Sequence, residues 1–265
     1  MKQFLLKNEP DRNGIVRLED SDYRYLVRVR RLAVGEFFPA VLPDGEEILV
    51  EVLSVEHGVM TGKCEKTGNP APCEKLPPII LFQALPKGDK MDIIVRQAAE
   101  GGITEIVPFV SEFSVGKAGG TSHAGGQKFS RWERIINEAR QQSGSKIATR
   151  LHHPLSIDDL IDYWIKIKKN DTLGILFHHR GLEQESLHGY LNINPKAAVI
   201  VIGPEGGFSD SEVTLFIKNG FKPLVIGDTI LRTETAALYC AAAVKIILLE
   251  RDSWKLNKQM KSDNV

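Results

Sequence analysis

From residue 79 onward the chain alternates short, almost wholly apolar runs with longer amphipathic stretches, and this rhythm restricts the fold more than any other feature. IILFQAL (79–85), ITEIVPFV (103–110), TLGILFHH (172–179), AAVIVIG (197–203) and KPLVIGD (222–228) are short enough for strands and too uniformly apolar for strands with one wet face. Strands covered on both faces belong to parallel sheets. The stretches between them have helical spacing: KMDIIVRQAAEGG (90–102), FSRWERIINEARQQSG (129–144), IDDLIDYWIKIKK (157–169), with Ser156 as N-cap, and SDSEVTLFIKNG (209–220). A last helix spans about 234–250. The pattern predicts βα units around a parallel sheet over 79–265.

Before residue 79 the rhythm is different. EFFPAVLPDGEEILVEVLSVEHGVMTGKCE (36–65) reads as a meander of short strands. Pro43-Asp44-Gly45 and His57-Gly58 mark its turns, and Ile48, Val50 and Val52 share one face. Residues 1–70 are therefore expected to form a small barrel-like β domain. The Pro- and Gly-rich stretch TGNPAPCEKLPP (67–78) holds the linker, placed at 71–78, and GKAGGTSHAGGQK (116–128) reads as a surface loop. A chain of 265 residues accommodates two such domains.

Composition excludes several classes. With 42% hydrophobic and 26% charged residues this is a globular composition, and no run approaches the ~18 apolar residues of a membrane helix. The apolar patch near the amino terminus is too short for a signal peptide. Cys64, Cys73 and Cys240 lack metal-ligand spacing and read as reduced thiols, so a cytoplasmic protein without a metal is expected. His152-His153 and His178-His179 are adjacent pairs without acidic partners at ligand spacing, and they too read as ordinary side chains. Net charge is zero, so any RNA contact must come from a local concentration of cations. YRYLVRVRR (23–31) is such a segment. Its arginines suit phosphates and its tyrosines suit bases, although a solvated amphipathic segment gives the same pattern.

Two loops carry the chemistry. In VIGPEGGFSDSE (201–212), Ser209 and Glu212 form a capping box, so Gly203–Gly207 is the loop between a strand's carboxyl end and a helix. Ligands of open α/β sheets bind there. The loop matches neither the P-loop nor G-x-G-x-x-G, and Glu205 would repel a pyrophosphate while tolerating a positive centre. VIGDTILRTETAALYCAAAV (225–244) repeats the design of strand, glycine, irregular loop and helix, with Thr233 as cap, Glu234 in the first turn and Arg232 beside the same cleft.

GPEGGFSDSE and GDTILRTETAAL resemble the two hallmark loops of the ribosomal RNA small subunit methyltransferase E family, a member of the knotted SPOUT class. RVRRLAVGE (28–36), KGDKMDIIVRQAAEGG (87–102) and RWERIINEARQQSG (131–144) resemble its other motifs, so the likeness spans nearly the whole chain. It implies a PUA-like barrel ahead of a SPOUT-type α/β domain with a carboxyl-terminal trefoil knot, where pattern rules alone predict an unknotted fold. It also implies a homodimer, S-adenosylmethionine as cofactor, and methylation of uracil N3 at one uridine of small-subunit (16S) ribosomal RNA, within the assembled subunit.

On that resemblance the methyl donor is expected at Leu176, Gly203, Glu205, Gly206, Gly207, Ile226, Gly227 and Leu231. Arg232 is expected to stabilise the uracil anion, Glu234 or Glu205 to take its proton, and Arg28, Arg30 and Arg31 to hold RNA phosphates. The chain departs from the family at Phe113 and Thr229, where arginines are usual, and at Gln141–Ser145, where Glu-Gln-x-x-Arg is usual. These positions bear on RNA contacts rather than on the reaction type. A SPOUT methyltransferase acting on another RNA, or a noncatalytic RNA-binding relative, are the alternatives, while a dinucleotide enzyme lacks its glycine fingerprint.

Overall fold

A computed structural model describes residues 4–43, 45–66, 76–114, 123–169, 171–179 and 181–262, with side chains left undescribed at 123–125 and 251–262. Asp44, Cys73, residues 71–75 of the linker and 116–122 of the expected loop lie outside the described residues. Two compact units are present. One runs to Glu74 and takes in Arg140–Ala148, and the other comprises Lys75–Ala139 and Thr149–Val265.

The first unit is a five-stranded mixed sheet made of β1 (Phe4–Leu5), β2 (Ile15–Leu18), β3 (Phe37–Val41), β4 (Glu47–Glu56) and β5 (Val59–Lys66), in the order β1-β3-β4-β5-β2. The β1–β3 pair is parallel and the remainder antiparallel. Ile48, Val50 and Val52 point inward with Phe38 and Met60, as their period of two requires. The alternation ends at a bulge between Val52 and Ser54. Between β2 and β3 lies helix rather than strand. The short helix α1 (Asp20–Tyr23) runs into a π-helical segment, Arg24–Val29, that buries Leu26 completely. Lys146 pairs with Glu47 at 3.0 Å and so holds the late segment on this unit.

The second unit is a six-stranded, all-parallel sheet. It contains β6 (Ile79–Ala84), β7 (Glu105–Phe109), β8 (Arg150–Leu151), β9 (Thr172–Phe177), β10 (Ala197–Ile202) and β11 (Lys222–Leu224), in the order β11-β9-β10-β6-β7-β8. Alternate strand residues feed two cores. On one face, α2 (Lys90–Glu100), α3 (His123–Ser143), α5 (Leu187–Leu191) and α7 (Thr233–Ser262) cover Leu81, Ile175 and Ile200. On the other, α4 (Ile157–Ile167) and α6 (Asp210–Lys218) cover Phe82, Leu176 and Val201. Covering both faces is why these strands read as continuous apolar runs. Ser156 caps α4 by accepting from Asp159 N, and Ser209 opens α6 in a full capping box with Glu212.

Several elements differ from expectation. Helix α3 starts at His123, inside the segment expected to be a loop to 128, because two glycines weaken a helical pattern without preventing helix. Helix α7 runs to Ser262, and α5 and β8 are too short to carry a readable period. Among the described residues no helix is long and apolar enough to cross a membrane.

The sheet builds outward from β6 to β7 and β8, then resumes at β9 and β10 on the other side. The loops leaving β6 and β10 are thus neighbours at a topological switch point, where α/β sheets place ligands. The packing behind that point is tight at Gly174 in β9, where an added Cβ would lie 2.7 Å from the Phe221 ring and 2.9 Å from Trp164. Gly174→Ala should therefore cost about 1–3 kcal/mol in denaturant unfolding. An unchanged midpoint would mean that the rings have room to shift.

Candidate active site

One hydroxyl joins the loops at the switch point. Thr233 Oγ1, buried at the start of α7, donates to the Gly203 carbonyl at 2.6 Å. It accepts from Gln83 Nε2 at 3.1 Å, and the same amide donates to the Ala84 carbonyl. Strand β6, the loop after β10 and helix α7 therefore share one hydrogen-bonded node. Thr233 does not spend its hydroxyl on the helix end, as its sequence position suggested. The carbonyl of Arg232 opens the helix instead, accepting from Ala236 N at 2.7 Å.

A second tie is ionic. The Lys90 ammonium at the start of α2 lies 2.8 Å from Glu205 and 3.6 Å from Glu234. The Lys87 backbone N–H donates to both Glu205 oxygens, at 3.1 and 3.2 Å. Partial burial would raise the Glu205 pKa, but the Lys90 bond and the backbone donors outweigh it, and the carboxyl is held below the usual range. The hydrogen bond that Lys90 donates to Glu205 raises the ammonium correspondingly. Glu234 is different: its buried Oε2 has no hydrogen-bond partner, since Lys90 stands beyond that reach.

The glycine loop is fixed on its other side by the α6 cap. Glu212 Oε2 accepts from Ser209 N at 3.0 Å, and its Oε1 accepts from Glu112 N at 2.8 Å. This brings the segment after β7 against Gly206, where an added Cβ would lie 2.8 Å from Phe113 Cβ. Gly207 adopts φ +72° and packs against the His179 ring, a combination that only glycine meets without strain.

Together these loops enclose a cleft of about 680 Å³ at the carboxyl ends of β9, β10 and β11. Gly203, Glu205, Gly206, Gly207, Ile226, Gly227, Leu231 and Arg232 all line it. Leu176 and Glu234 do not. The alternation along β9 sends Leu176 into the core of the opposite face, and its neighbours Phe177 and His178 line the cleft instead. Arg28, Arg30 and Arg31 lie in the other unit, on and just after the π-helical segment. Cys240 also lines the cleft, and burial pushes its thiol up to about 12, so it acts as a small apolar wall. Gln83, Lys87, Lys90 and Glu112 were not singled out from the sequence, and His179 was read as an ordinary side chain. Only Lys87 and Lys90 carried a signal, as part of the Lys-x-x-Lys resemblance.

Residues 74–245 match the family model described as the RNA methyltransferase domain, and residues 18–58 match the RNA methyltransferase PUA domain. The ribosomal RNA small subunit methyltransferase E of Synechocystis sp. is 31% identical over 236 residues, covering 88% of this chain and 73% of the relative. That of Aquifex aeolicus is also 31% identical, over 87% of this chain and 94% of its own length. This chain belongs to that family. The family's fold is present throughout. The enzyme of the same name from Neisseria gonorrhoeae, solved bound to S-adenosyl methionine, superposes with TM-score 0.76 at 23% identity, covering 93% of this chain and 98% of that one. A protein of Legionella pneumophila, solved in complex with the bound cofactor SAM, gives TM-score 0.75 at 25% identity over 92% and 97% of the two chains.

Two outcomes test these ties within the methyltransferase E scaffold. Thr233→Val removes the hydroxyl but keeps the shape, leaving the Gly203 carbonyl and the Gln83 amide short of a partner, and should cost roughly 1–3 kcal/mol by denaturant titration. Because the Glu205 pKa is depressed, its tie is intact above the usual carboxylate range and is lost as pH falls through the lowered value. Lys90→Gln should therefore lower the melting temperature near neutral pH and make its acid-side fall shallower. Superimposable curves of melting temperature against pH would show that Lys90 does not hold the loop.

Proposed function

We propose that this chain is an S-adenosylmethionine-dependent methyltransferase that modifies N3 of a uridine in small-subunit (16S) ribosomal RNA. The observation that carries the reading is the convergence of the two family loops on one glycine-lined cleft at the switch point. Family membership and the two cofactor-bound neighbours support it.

The cleft suits the donor on its own chemistry. An added Cβ at Gly227 or Gly181 would meet nothing within 4 Å, so these glycines leave the cleft open where a side chain would fill it. Phe177, Leu224, Ile226 and Leu231 offer an apolar wall to an adenosyl group, and Glu205 and Asp228 place negative charge near a sulfonium. No lysine lines the cleft among the described residues, as a nucleotide triphosphate site would require. When bound there, S-adenosylmethionine supplies a methyl group on a positively charged sulfur.

The chain's own residues must place the base and manage one proton. Uracil N3 carries a weakly acidic hydrogen, and its loss leaves charge on the flanking oxygens. Arg232, on the cleft wall, holds that charge by hydrogen bonding. Both oxygens of Glu205 are engaged by Lys87 and one also by Lys90, so Glu205 is a positioning group. Glu234, two residues after Arg232 at the start of α7, takes the proton, although its side chain stands off the cleft wall beside Lys90. Arg28, Arg30 and Arg31 hold phosphates, with Arg28 and Arg31 exposed. A homodimer, a trefoil-knotted carboxyl-terminal segment, action on the assembled subunit and a cytoplasmic location complete the reading. The exposed Leu238, Tyr239 and Ile246 of α7 favour the dimer.

The test is methyl transfer from labelled S-adenosylmethionine to small ribosomal subunits lacking the modification, with nucleoside analysis of the product. N3-methyluridine is expected, and donor binding without incorporation would point to another RNA. Arg232→Ala should lower kcat by roughly 10²–10³-fold. Glu234→Gln should lower kcat by roughly 10²–10⁴-fold, and an unchanged kcat would assign the proton elsewhere. Arg28→Ala combined with Arg31→Ala should weaken RNA binding and flatten its salt dependence by roughly 0.7–0.9 in log–log slope for each phosphate no longer neutralised.

A further inference from the structure

An aromatic ring stands in solvent on a loop that has every means of being held still. Phe113 is 45% exposed, although Phe is among the residues most often found inside. Its loop is not loose. Glu112 N donates to Glu212 Oε1 at 2.8 Å, Ser111 N donates to Ser114 Oγ at 3.1 Å, and Ser114 N donates to the Ser111 carbonyl at 3.0 Å. Ser111 is buried, and the Phe113 Cβ is packed so closely on Gly206 that no side chain fits at that position. The segment is thus pinned on both sides of Phe113 while the ring faces outward, and Gly206 beneath it lines the cleft.

Burying this ring would have been favourable, and the anchoring shows that the loop has one set conformation that leaves it out. A flat apolar face fixed at the rim of a methyl-transfer cleft is suited to the face of an unpaired base. Every base has such a face, and aromatic side chains are the usual platforms for them. Glu112, the neighbour of Phe113, is held through its backbone N–H by the α6 cap, with an exposed side chain. Resting on the function proposed above, we propose that Phe113 is a substrate-binding residue which stacks on an unpaired nucleobase of the RNA substrate at the rim of the cleft.

Steady-state kinetics of the full-length protein on small subunits lacking the modification tests this. Phe113→Ala should raise KM for the subunit by about tenfold or more with kcat and the Kd for S-adenosylmethionine little changed. Phe113→Tyr should restore KM, since it keeps the ring. The slope of log affinity against log salt should match wild type in Phe113→Ala, because stacking releases no counterions, and a flattened slope would overturn the assignment in favour of a phosphate-binding role. An unchanged KM in Phe113→Ala would also overturn it, as would a loss of dimer by sedimentation with KM unaltered, which would give the ring to a protein interface. If wild type itself transfers no methyl group, the functional reading fails instead.

Discussion

The Thr233 hydroxyl accepts from an amide on β6 and donates to a carbonyl on the loop after β10, and the arrangement of the cleft follows from that position. The sheet alone brings the ends of β6 and β10 side by side but does not fix the loops that leave them. A buried hydroxyl with one partner in each direction does so, because breaking either bond strands a polar group away from water. The long helix α7 is set by the same atom. Arg232 and Glu234 flank Thr233 at its start, so both are placed by the node that holds the glycine loop.

Electrostatics at the site are local. A chain with zero net charge gains nothing from an overall field, and the work is done by one lysine between two carboxylates. Lys90 satisfies Glu205 fully and Glu234 incompletely. Two carboxylates near one cation are therefore held differently, and the difference lies in the backbone donor at Lys87 that Glu205 receives.

Much of the fold was readable because its signals are periodic. Strands covered on both faces give apolar runs, and the Ser156 and Ser209 caps are local devices with local signatures. The glycine loop could be read as a ligand loop because a capping box fixed where the helix began. What escaped the sequence depends on partners far along the chain. Lys90 and Glu205 are 115 residues apart, and nothing in either segment names the other. Thr233 has the look of a cap, and its true acceptor lies 30 residues upstream. The helical course of residues 20–29 was missed because arginines and tyrosines hide its anchor, the single buried Leu26. At Leu176 the strand was legible, but a run that is apolar throughout does not say which side chains meet the cleft.

The amino-terminal unit is discontinuous along the chain, because Arg140–Ala148 belongs to it and Lys146 pairs there with Glu47. Protein synthesis proceeds from the amino terminus, so this unit is still incomplete when its own strands have left the ribosome. It must wait for α2, β7 and α3 of the following unit to be made before its last segment arrives. A gene cut at the linker would deliver the strands without that segment, so the order of translation and the order of assembly differ in this chain.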